Sequence, residues 1–175
     1  MKFTSILFTC LAFLFIGSQL PKNIQKKVDK EIKNTYDVEE FVFESKTFDV
    51  EILKTLPSEF SPNHFFEIKK DNILLGYAYV SKAPSKTDEF DYLILLSTDL
   101  VVKQAKVLVY REDYGGEIGS KRWLKQFVDK TPKDRLKYQD NIVAIAGATI
   151  SVRSMTTAVN DMLRSLEILK TKKAL

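Results

Sequence analysis

The residues able to do chemistry are few in kind. The chain has one cysteine, Cys10, and one histidine, His64. That excludes Cys/His zinc sites, cysteine-ligated iron–sulfur clusters and an intrachain disulfide. No Cys-x-x-Cys-His run is available to attach a c-type haem. A histidine-dependent triad would rest on His64 alone, and no nucleophile elbow accompanies it. The side chains supply little redox chemistry, and no metal site is expected. The protein either binds a ligand passively or borrows a cofactor.

Glycine is the residue type whose placement is informative. Of six glycines, Gly115, Gly116 and Gly119 fall in one short segment and Gly147 in another. Glycine allows positive φ and close approach of the backbone to a ligand. The second segment, Ala146-Gly147-Ala148-Thr149-Ile150-Ser151, leads directly into a helical pattern. Small residues leave room, Thr149, Ser151 and Ser154 bring hydroxyls, and a helix N-terminus presents unpaired N–H groups. That is a site for a phosphate or another anion. The same residues also suit an ordinary N-cap, with Thr149 or Ser151 satisfying the helix's own donors.

Several elements must position these segments. Ile24, Val28, Ile32 and Tyr36 form an i, i+4 stripe on a charged segment, which predicts an amphipathic helix covering a sheet or spacing the domain from a membrane. Phe41, Phe43 and Phe48 mark a first strand, and Pro57 and Pro62 a loop. Two hairpins follow. Residues 64–68 and 73–80 flank Lys70-Asp71-Asn72; residues 90–96 and 101–110 flank Ser97-Thr98-Asp99. Residues 81–89, with Pro84, read as a polar connection. A short helix carries Trp123, Phe127 and Val128. A last helix, about 151–170, carries the stripe Met155, Ala158, Val159, Met162, Leu163, Leu166 and Leu169.

The chain of 175 residues has room for one domain with a real core. Residues 1–20 read as a signal peptide or membrane anchor: Lys2, an uncharged apolar run from Phe3 to Ile16, then Gly17 and Ser18. Cys10 lies in the middle of that run, where a lipoprotein cysteine would not be. Residues 21–37 form the amphipathic helix or spacer, and 38–172 the domain proper. The net charge of +4 is spread over interspersed residues, with no basic run of the kind nucleic-acid binding needs.

Gly147-Ala148-Thr149, the hydroxyl of Ser151 and the helix beyond resemble the FMN-binding domain family. Its best-known members are flavin-carrying subunits of the Rnf complex and of the sodium-translocating NADH:quinone reductase. The run Tyr114-Gly115-Gly116-Glu117-Ile118 is similar to the family's upstream Tyr-x-Gly-x-Ile element. The resemblance covers residues 60–170. It implies an α+β fold, a bent antiparallel sheet flanked by helices, with FMN as cofactor. Thr149 would carry the flavin through its phosphate, and Gly147 and Ala148 would leave room for it. Ile150 and Ser151, at the helix N-terminus, would bind phosphate oxygens. Tyr114, Gly115, Gly116, Glu117 and Ile118 would lie against the flavin. Three positions depart from the pattern: Ala146 replaces Ser or Thr, Val143 replaces Asp, and Asp113 replaces a common Gly. The resemblance therefore implies FMN binding and leaves the covalent link at Thr149 open.

The function expected is that of an extracytoplasmic FMN-binding electron carrier rather than a stand-alone enzyme. A membrane reductase or electron acceptor would be its partner, and a flavin transferase would modify it if the link is covalent. The alternative is a cofactor-free secreted binding module for an envelope partner or small ligand.

Overall fold

A computed structural model describes residues 20–175. The expected signal or anchor and Cys10 lie outside the described residues, apart from Leu20. In chain order the elements are helix α1 (Lys22–Tyr36), strand β1 (Val42–Ser45), helix α2 (Val50–Leu53), strands β2 (Phe65–Lys70), β3 (Ile73–Pro84), β4 (Glu89–Ser97) and β5 (Val102–Val109), and helices α3 (Lys121–Leu124) and α4 (Thr149–Thr171). Short 3-10 turns occupy Gly116–Gly119 and Lys125–Phe127. The strands form one antiparallel sheet in the order β1-β2-β3-β4-β5. The architecture is α+β in a single domain.

The two central strands show why the sheet is covered on both faces. Successive side chains of a strand point to opposite faces. In β4, Phe90, Tyr92, Ile94 and Leu96 join the core beneath α4, while Leu93 and Leu95 join a second core beneath α1. In β3, Tyr77 and Tyr79 take the α4 side, and Ala78 and Val80 the α1 side. Helix α4 supplies Val152, Met155, Val159, Met162, Leu163, Leu166 and Leu169 to the first core. Helix α1 supplies Ile24, Val28 and Ile32 to the second, so it covers the sheet.

The α1 contact is fixed by one notch. Tyr36 donates its hydroxyl proton to the Leu96 carbonyl at 2.7 Å. A Cβ on Gly76 would lie 2.1 Å from that carbonyl oxygen and 2.6 Å from the Tyr36 hydroxyl. Only glycine leaves the space. Burial pushes the Tyr36 phenol far above its ordinary range.

Several boundaries differ from the sequence expectation. Strand β3 continues to Pro84, pairing with Glu89, because an X–Pro segment favours extended backbone and Pro can end a strand. Phe48 lies outside β1, where it packs against Phe60 and Phe65. Helix α2 follows it, with Asp49 accepting the Glu51 N–H as its cap. The β2–β3 turn is as expected: Asp71 and Asn72 both have positive φ, the conformation of a two-residue hairpin loop. Among the described residues, no helix is long and apolar enough to cross a membrane.

Candidate functional site

The two glycine segments, well separated in sequence, meet in space. A Cβ on Gly115 would lie 2.8 Å from the Ala148 Cβ and 3.2 Å from the Tyr110 hydroxyl. Gly115 also has φ of 79°, where other residues are disfavoured. Its glycine identity thus lets the Tyr114–Gly119 segment back directly onto the start of α4.

That helix start is open. Ala148 is the N-cap residue, and no side chain caps it. The first N–H groups of a helix have no intrahelical partner. The cap expected of Thr149 or Ser151 is not made. Thr149 is exposed, and Ser151 is buried with its hydroxyl 3.0 Å from the Tyr110 hydroxyl. Gly147 has φ of 77°, and a Cβ there would meet nothing within 4 Å. A notch therefore opens beside uncapped backbone donors. Thr149, Gly147, Ala148, Ile150 and Ser151 line one cleft of about 420 Å³ with Lys86, Tyr110, Glu112 and Tyr114.

Three successive residues leaving β5 hold this cleft in place. Tyr110 ties to α4 through Ser151. Arg111 donates to the buried carboxylate of Asp91 at 2.6 Å and to the Glu89 carbonyl at 2.7 Å. Glu112 accepts from the Thr87 N–H at 2.6 Å and from its hydroxyl at 2.9 Å. Together with the Ser85 hydroxyl, these donors hold the Glu112 carboxyl down at about 2. They fix the turn that presents Lys86, the one cation in the cleft lining.

The other wall is a stretch without regular structure, Ile142–Ala148, held by two side chains of the preceding segment. Trp123 donates its indole N–H to the Val143 carbonyl at 2.8 Å, and the Gln126 side-chain oxygen accepts the Val143 N–H at 2.7 Å. Both backbone groups of Val143 are therefore satisfied while its side chain stays exposed. A second cleft of about 630 Å³ lies on this side, lined by Glu117, Ser120, Trp123 and Val143 among others.

The remaining expected residues divide between these surfaces. Tyr114 is 83% exposed at the first cleft, and Gly116 borders open space. Glu117 faces the second cleft. Ile118 is fully buried in the α4-side core and anchors the turn from below. Sequence reasoning missed Lys86, Tyr110, Glu112, Trp123 and Gln126. Their only signal was proximity in chain to strand ends or to the glycines.

His64 has company that its sequence neighbours did not suggest. Ser61 Oγ lies 2.6 Å from His64 Nδ1, and Glu59 Oε2 lies 3.7 Å from Nε2. Burial lowers the imidazole pKa, with Glu59 opposing the shift. Ser61 and His64 close one turn, His64 N–H to Ser61 carbonyl at 2.9 Å, so the contact builds the loop before β2. Among the described residues, no cluster of three or more His, Cys, Asp or Glu is placed to hold a metal ion.

Residues 87–164 match the family model of the FMN-binding domain, a span that holds both glycine segments and the start of α4. Over this segment the chain is similar to the FMN-binding domain family. FMN is the cofactor that goes with it. The residues present fit its phosphate end: uncapped helix donors, a positive dipole end, an open Gly147 notch and Lys86 all favour an anion. Glu112, ionised in the same lining, opposes it and is already occupied by Thr87. No curated protein matches the sequence.

Proposed function

We propose that this protein is an extracytoplasmic flavoprotein that passes electrons between a membrane reductase and an acceptor, with FMN seated at the α4 N-terminus. The uncapped start of α4, with Thr149 exposed beside it inside the family-matched span, is the observation that carries this reading. Bound FMN supplies the redox chemistry that the side chains lack. The chain's own groups do the holding. The N–H groups of the first turn and Lys86 receive the phosphate, Gly147 leaves it room, and Tyr114 offers an exposed ring to the flavin's flat surface.

Thr149 Oγ1 is the attachment point in this proposal. A flavin transferase would bring an activated flavin nucleotide. The threonine oxygen gives up its proton and bonds to phosphorus as the nucleotide leaving group departs. The resulting phosphoester keeps a negative charge, which the helix end favours. Ala146 and Val143 stand where the family pattern has the hydroxyl and carboxylate that go with modification. The link is therefore the part of the proposal most exposed to test.

Intact-mass measurement on protein from its native envelope decides among the outcomes. An FMN adduct lost in Thr149→Ala supports the full reading. Yellow protein whose colour is released on denaturation supports flavin carriage without the ester. Colourless protein from a host that holds the transferase overturns the proposal. The same mass reports whether residues 1–20 have been removed.

A further inference from the structure

On the other side of the 120–128 segment from the Trp123 cleft lies a cleft of about 700 Å³, between α1, β5 and α3. Its lining includes five lysines, Lys30, Lys103, Lys106, Lys121 and Lys125, drawn from three separate stretches of chain. The one carboxylate in the lining is already engaged. Glu31 pairs with Lys106 at 3.2 Å and accepts from the Gln104 amide at 2.7 Å. Lys30, Lys103, Lys121 and Lys125 are exposed and have no carboxylate partner among the described residues. Four like charges around one concavity repel one another and focus a positive potential into it.

A partnerless polar atom lies beneath the cleft wall. Thr35 lines this cleft, and its Oγ1 is the one buried side-chain polar atom among the described residues without a hydrogen-bond partner. Such atoms are rare in native proteins, because leaving one unsatisfied costs its full desolvation. A threonine inside a helix ordinarily returns its hydroxyl to the carbonyl four residues back, as Thr156 does to Val152 at 2.7 Å. Thr35 does not.

From these features we infer that the cleft is an anion site for a phosphate ester carrying more than one negative charge. Every cation in the lining is lysine and none is arginine. Lysine acts as a compact point charge and can bind phosphate without the planar fork of arginine. The volume lies within the range of small-molecule sites. Ala105, Leu124 and Val128 provide an apolar floor for the organic part of the ester. The site uses none of the residues at the α4 N-terminus and stands whether or not flavin is carried there.

The test is calorimetric titration of the full chain with inorganic pyrophosphate. The Lys86→Ala/Thr149→Ala background weakens anion binding at the α4 end. Binding should persist in that background and weaken by about tenfold or more in Lys103→Glu/Lys121→Glu. Thr35→Val should raise the melting temperature of the free protein, because it deletes an unsatisfied hydroxyl, and leave pyrophosphate affinity unchanged.

Vesicles of phosphatidic acid and of phosphatidylcholine distinguish the source. Sedimentation with the former alone, lost in the lysine variant and competed by pyrophosphate, identifies a lipid headgroup. Pyrophosphate binding without sedimentation identifies a soluble ester. Three results would overturn the inference: pyrophosphate bound no better than chloride at matched ionic strength, binding unchanged in the lysine variant, or polyglutamate binding as tightly and competing.

Discussion

The cleft at the α4 N-terminus and the lysine cleft between α1, β5 and α3 would hold anions by opposite means. At the α4 N-terminus the donors are backbone groups fixed by a helix, and the space beside them comes from glycine. In the lysine cleft the charge sits on long flexible side chains, and the walls come from a helix and a strand far apart in sequence. Backbone donors are ordered before any ligand arrives and give one geometry. Lysines must lose rotamer freedom on binding and respond to charge more than to shape. The first arrangement suits a permanently held cofactor, the second an exchangeable ligand.

Substitutions can break that contrast. The largest effect is expected from Gly115→Val, which places branched carbons against Ala148 at a positive φ. It should destabilise the fold by about 1–3 kcal/mol and abolish flavin retention, read by thermal melting and visible absorbance. Retained flavin at wild-type stoichiometry would show that the two glycine segments need not touch. Next, Trp123→Phe removes the donor to the Val143 carbonyl. A cost of about 1–2 kcal/mol is expected, with faster amide exchange through residues 142–148.

A rise in potassium chloride should discriminate next. Pyrophosphate affinity at the lysine cleft is expected to drop by on the order of tenfold between dilute and half-molar salt, since exposed charges are screened. Flavin retention at the α4 end should change far less. Equal sensitivity would erase the distinction drawn above.

The smallest effect concerns Glu112. Its carboxyl pKa is lower in the folded protein than the ordinary value of 4.5, at about 2. Its stabilising contribution is therefore present above 4.5 and lost as pH falls toward 2. Glu112→Gln should flatten that part of the acid-unfolding curve, followed by circular dichroism, and loosen the Lys86 turn.

Much of this was legible in the sequence, for identifiable reasons. β-branched and aromatic runs around short turns announced both hairpins, and apolar spacings of three to four announced both long helices, which bury one face each. The Gly147–Thr149 segment was legible because its local composition is itself the site. The contact between Gly115 and Ala148 was not, since only the folded chain brings 115 to 148. Capping by Thr149 or Ser151 was plausible by residue type, yet Tyr110 claims the Ser151 hydroxyl, and nothing in the local sequence shows that. The lysine cleft was invisible for a related reason. Lys30, Lys103 and Lys121 are unremarkable surface residues until α1 folds across β5.

Trp123 is the chain's single tryptophan, and it lines the cleft beside the 142–148 loop. All indole emission from this protein therefore originates at one known point, edge-on to Phe127 at 5.2 Å and hydrogen-bonded to the loop that carries Gly147. A flavin absorbs where tryptophan emits, so occupancy of the α4 end should drain that emission by energy transfer. A ligand among the lysines, bearing on Lys121 and Lys125 of the same short segment, would shift its colour instead. One optical signal, with no label attached, can follow both events in a single cuvette.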